Sequence, residues 1–150
     1  MAKLPEVETA KALMTEASAW SVMKWLREKK RVRKTADQAN AALDQLSVRT
    51  RARWPDPLRA AYDVLSGTAS TNEQPKPRPV INPDATLTAK KMKESDDEAF
   101  RARMDAEAAF DLAEKQLSTR LAREGCQKAI HSWELHEKAI RKAEAVIRST

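Results

Sequence analysis

Residues 22–46 read VMKWLREKKRVRKTADQANAALDQL, and the spacing of the apolar side chains in this stretch decides the fold. Val22, Trp25, Lys29, Val32, Ala36, Ala39, Leu43 and Leu46 follow one another at steps alternating between three and four. A seam of that kind, kept for more than three heptads, belongs to an α-helix that lays one narrow apolar edge against another helix, as in a coiled coil. Only Lys29 interrupts it, and a lysine at the edge of a seam can bury its methylenes while its ammonium stays in water.

Working outward, the helix meets no glycine or proline from Pro5 to about Arg53, so one long N-terminal helix is expected. Pro5 suits a first turn, where Glu6 and Glu8 also favour the positive end of the helix dipole. Trp54-Pro55-Asp56-Pro57 closes it. Asp56 then suits an N-cap with Pro57 at the first helical position, opening a short helix through Leu58, Ala61, Tyr62 and Leu65 that stops at Gly67. Residues 68–82 contain Pro75, Pro77 and Pro79 and read as a flexible, extended linker; the spacing of two misses the PxxP pattern. Asn82-Pro83-Asp84 and Ser95-Asp96-Asp97-Glu98 are alternative starts for a long C-terminal helix. The parts 1–67, 68–82 and 83–150 together make one structural domain. The expected fold is all-α, a long-helix antiparallel hairpin or small bundle with a short third helix and a Pro-rich linker.

Composition agrees. The apolar share is 41%, but 26 of the 150 residues are alanine, which leaves few bulky side chains and suits narrow seams better than a thick core. Cys126 is the one cysteine, so no internal disulfide forms and a reducing, cytoplasmic setting is expected. No run of about 18 apolar residues occurs, which excludes a spanning helix.

Several chemistries lack their residues. Two glycines, Gly67 and Gly125, cannot build a phosphate-cradling loop, and no Gly-x-Ser-x-Gly elbow is present. His131 and His136 are five apart, which turns them about 140° from each other on a helix. They cannot share a metal there and read as partly exposed surface side chains. Cys126 lies in an apolar seam with Trp133, Ile140 and Ile147 and reads as an inert small hydrophobe. No catalytic residue, metal site or cofactor is expected, and the chain is read as not an enzyme.

Two surfaces could carry function. The net charge is +6, with residues 1–94 at +7 (18 Lys/Arg against 11 Asp/Glu) and residues 95–150 at −1 (10 against 11). Within the basic part, Lys24, Arg27, Arg31 and Lys34 share one helical stripe opposite the seam, with Trp20 beside them. Cations in register match a polyanion, and Trp20 would either stack on a base or be buried against the 57–66 helix. In the C-terminal helix, Ala99, Ala106, Phe110, Ala113, Leu117 and Leu121 form one apolar stripe, and Phe100, Met104, Ala108 and Leu112 form another on a different face. A hairpin helix needs only one. The leading functional reading is therefore a non-enzymatic helical interaction or assembly protein, working as a homo-oligomer or with another helical chain through Phe110, Leu117, Leu121, Phe100, Met104 and Leu112. The alternative is a nucleic-acid-binding protein that uses the basic stripe. A third reading, attachment to a membrane surface through residues 20–34, is the weakest.

Overall fold

The computed structural model describes residues 4–67 and 83–148, and these are helical with no strand. The linker read at 68–82 lies outside the described residues. Five helices follow in order: α1 (Pro5–Ala17), α2 (Val22–Arg51), α3 (Asp56–Ser66), α4 (Pro83–Gln116) and α5 (Thr119–Arg148). None of them is long and apolar enough to cross a membrane.

The long N-terminal helix is two helices. It breaks at Ser18–Ser21, where Ser21 adopts an extended conformation and its side chain accepts the Lys24 N–H at 3.2 Å, an N-cap. Two contacts from α5 hold the break: Val22 N–H donates to Thr119 Oγ1 at 3.0 Å, and Arg123 Nε donates to the Ser18 carbonyl at 2.9 Å. The turn lets α1 fold back, so that Val7, Ala10, Met14 and Ala17 join the core.

The long C-terminal helix is broken too, at Leu117–Ser118. Leu117 has φ +51°, and Ser118 Oγ accepts the Leu121 N–H at 3.2 Å to start α5. A non-glycine residue in the left-handed region costs on the order of 1 kcal/mol, so the close packing of α4 on α5 must hold it there. Gly67 ends α3 in the left-handed conformation expected of it, with φ +70°. Of the two possible starts for α4, the helix uses Pro83. Asp56 does not cap α3. It is the first helical residue, with Pro55 before it, and its carboxylate pairs with Arg59.

α4 and α5 form the most extensive contact; α1 and α2 pack on each other and both touch α5, while α3 packs on α4. Ion pairs join α2 to α4 in reverse order: Arg33 with Asp111 and Glu114, Arg103 with Asp44, and Arg51 with Asp96. α2 therefore runs antiparallel to α4, and the Trp133–Asn40 and Val22–Thr119 bonds place it parallel to α5. The α2 seam buries Trp25, Val32, Ala36, Ala39 and Leu43. Phe110 stacks on Trp25 with centroids 5.8 Å apart. A second, smaller cluster joins Trp54, Leu58 and Tyr62 to Ala89 and Ala143. There Trp54 Nε1 donates to the Ala143 carbonyl at 3.0 Å, and the Tyr62 hydroxyl donates to Asp96.

Candidate interaction surfaces

A polar cluster is built where α2, α4 and α5 meet. Arg103 donates from both terminal nitrogens to Asp44, at 2.9 and 3.1 Å, and one of them also donates to His136 Nδ1 at 3.2 Å. Trp133 Nε1 donates to Asn40 Oδ1 at 2.8 Å nearby. A cavity of about 30 Å³ lies against Asn40, Arg103, Glu107, Ser132 and Trp133. That is room for about one water molecule and too little for a substrate. Arg103, one of the residues against this cavity, has its Nε buried without a hydrogen-bond partner among the described residues.

His136 is buried, contrary to the surface position read for it, because it falls between Trp133 and Ile140 on the face of α5 that meets α2 and α4. Burial, and next the Arg103 charge, push its pKa down to about 4, so its Nδ1 stays a neutral acceptor. In the unfolded chain the same imidazole protonates near 6.5. Between those values the unfolded state binds the extra proton, so stability falls as pH drops from about 6.5 to about 4. The loss amounts to roughly 3 kcal/mol at about 1.4 kcal/mol per unit. Urea unfolding of the wild type and of His136→Gln at pH 7, 5.5 and 4.5 checks this. The variant is expected to lose much less stability over that range, and parallel losses would assign the acid sensitivity to other groups.

Cys126 is fully buried and burial pushes its thiol up to about 12, so it stays protonated. His131 is exposed on the other side of α5. No group of three or more His, Cys, Asp and Glu among the described residues is placed to share a metal ion.

The six residues read as a protein interface separate into two environments. Phe110 is core: besides stacking on Trp25 it lies under the Arg33 guanidinium at 5.7 Å. Leu121 packs half-buried against the same core. Leu117, at the α4–α5 turn, is exposed, because the break ends the stripe that was to continue through it. Phe100, Met104 and Leu112 remain on the outside of α4 at 53%, 41% and 43% exposure, with exposed Ala108 between them. They form a diagonal ridge in steps of four, about 18 Å long at 1.5 Å per residue. Arg101 and Asp105 lie exposed along one flank, with no ion-pair partner among the described residues. On the other flank Arg33 holds Asp111 at 2.7 Å and Glu114 at 3.0 Å.

The basic residues lie on the outer face of α2, but Trp20 does not lie open beside them. It is only 7% exposed, packed in the main core and covered by Lys24 Nζ at 5.0 Å and Arg31 at 5.8 Å. Nor is it against α3, whose aromatic neighbours belong to the second cluster. The turn at Ser18–Ser21 points the indole inward. Lys24, Arg27, Lys30, Arg31 and Lys34 are exposed. Arg31 pairs with Glu28 at 3.0 Å, and the other four meet no carboxylate among the described residues. Lys30, which the stripe omitted, falls on the same outward arc. Beside it runs an open groove of about 660 Å³ lined by Lys29, Lys30, Arg33, Lys34, Asp37 and Glu114.

Comparison with protein-family models, with curated proteins and with solved structures finds no match to this chain.

Proposed function

We propose that this protein is a non-enzymatic helical assembly element that pairs with a second copy of itself across the outer face of α4. The observation that carries the reading is the exposed ridge of Phe100, Met104, Ala108 and Leu112 on a helix whose opposite face is already occupied by α5 and α2. Large apolar side chains exposed in a continuous line mark interaction sites more often than scattered ones do. The helical seams read from the sequence make the body a small bundle, and this ridge is one further seam left open.

A second copy suits the ridge for three physical reasons. Two-fold dimers are the commonest assemblies, and they use one patch twice. Ridges formed by residues four apart interdigitate with their like at about −50°, the most frequent helix crossing. In an antiparallel two-fold pair centred on the ridge each flank faces itself in reverse order, and the flank of Arg101 and Asp105 carries both signs of charge, so it does not repel its own copy. The acids of the other flank repel less than their number suggests, since Arg33 already holds Asp111 and Glu114. Fully burying a large apolar side chain contributes roughly 1.5–3 kcal/mol, and these are about half exposed. Six of them across the pair supply several kcal/mol, against an association cost that starts near 4 kcal/mol. The dimer is therefore weak and concentration-dependent.

Sedimentation velocity tests it. The wild type is expected to shift from monomer to dimer as concentration rises from about 10 μM to about 1 mM, the range a free energy of several kcal/mol implies. Met104→Glu with Leu112→Glu is expected to remain monomeric with unchanged helicity. A wild type that stays monomeric throughout would end the proposal.

A further inference from the structure

We infer that the outer face of α2 is a binding site for the phosphate backbone of a nucleic-acid duplex, engaged without reading its base sequence. The placement of charge is the first argument. Residues 24–34 carry seven cations against Glu28 alone, a net of +6, which equals the net charge of the whole 150-residue chain. Everything else sums to zero. A charged outer face is ordinary on an amphipathic helix, but here the whole of the excess sits on three turns of one helix.

Pairing is the second argument. Several cations of the chain are answered: Arg103 by Asp44, Lys93 by Asp97, Lys128 by Glu124, Lys11 by Glu137 and, inside the run itself, Arg31 by Glu28 and Arg33 by two acids. Lys24, Arg27, Lys30 and Lys34 meet no carboxylate among the described residues, and all four point away from the buried Trp25 and Val32. From Lys24 to Lys34 the helix advances about 15 Å. One strand of a duplex presents a phosphate every 3.4 Å or so along its axis, so about four phosphates lie within reach of four cations.

The buried state of Trp20 decides the kind of partner. A site that stacks on single-stranded bases needs an exposed aromatic ring, and one that enters a bilayer needs an apolar anchor beside its cations. With Trp20 in the core, this face offers no exposed aromatic ring, and Met23, just before the basic run, is a single exposed apolar side chain rather than an apolar anchor face. What remains is a row of point charges, the chemistry of backbone contact.

The inference does not rest on dimerisation through α4, which uses a different helix, and the test separates the two. Binding of a fluorescent 20-base-pair duplex is measured by anisotropy between 20 and 200 mM salt, using two unrelated sequences. Equal affinity for both is expected, with log K falling against log salt at a slope of about −3.6 for four phosphates. Lys24→Gln, Arg27→Gln, Lys30→Gln and Lys34→Gln together should weaken binding at least tenfold while helicity is retained. A control that removes the same charge elsewhere, Lys90→Gln, Lys91→Gln, Lys138→Gln and Arg141→Gln, should weaken it less than threefold. Equal losses in the two variants, absence of duplex binding at 20 mM salt, or binding to phosphatidylserine vesicles with none to duplex would each overturn the inference.

Discussion

Trp133→Ala is expected to lower the free energy of unfolding by about 3–5 kcal/mol, the range for truncating a buried aromatic. Trp133 is fully buried where α5 meets α2, and its indole N–H holds Asn40 Oδ1 at 2.8 Å. Removing it leaves a void in a chain that has few other bulky side chains to collapse into it. It also strips the Asn40 oxygen of its donor, which adds to the loss. Domains of this size commonly hold only about 5–15 kcal/mol in total, so the variant should melt far below the wild type in urea or heat. A change under about 1 kcal/mol, the usual scale of a surface substitution, would mean that α5 does not pack on α2 as described.

Gly125→Leu is expected to be nearly as damaging, for the opposite reason. A Cβ added at Gly125 would lie 2.5 Å from Phe110 Cδ1 and 2.7 Å from Cε1. Phe110 cannot yield easily, since Trp25 stacks on its ring and the Arg33 guanidinium lies within 5.7 Å of the ring centroid. Overpacking of this kind costs roughly 1–3 kcal/mol for modest additions and more for large ones. Gly125→Ala makes the sharper comparison. Helix propensity alone would stabilise it by about 1 kcal/mol, whereas the contact with Phe110 should reverse the sign. Thermal melts of both variants read the answer, and a stabilised Gly125→Ala would show that α4 and α5 have slack at this level.

That contact also explains what a reading of periodicity undervalues. Counting alanine as filler suggests a thin core. In the folded chain Ala99, Ala106, Ala109 and Ala113 of α4, with Ala122, Gly125, Ala129 and Ala139 of α5, are all buried. Small residues let two helices approach closely, so alanine is itself the seam. The α2 seam was legible because its large residues mark the period unaided. The two breaks were not: neither uses glycine or proline, and each rests on a serine cap, Ser21 or Ser118, of a kind that occurs at many positions without ending a helix. Leu117 is the harder case, since a branched side chain argues against the left-handed conformation it adopts.

The surfaces follow the same logic. Two apolar stripes on the C-terminal helix could be read from spacing, but which of them is covered depends on where α2 lies, and no local signal sets that. Phe110 went to the core and Phe100 to the outside. Trp20 could not be placed without knowing the break at Ser18–Ser21, because the direction of its side chain reverses with the turn. His136 was within reach, as it lies three residues after Trp133 and four before Ile140 on the buried side of α5.

Pairing across α4 is tested most directly by Ala108→Cys under mild oxidation. Ala108 is exposed at the middle of the ridge, close to where the two-fold axis would pass, while the native Cys126 is buried and protonated. The two-fold pairing predicts a covalent dimer that forms readily from Ala108→Cys and not from Ala41→Cys on the outer face of α2. A dimer that forms equally from both positions, or from neither, would contradict it.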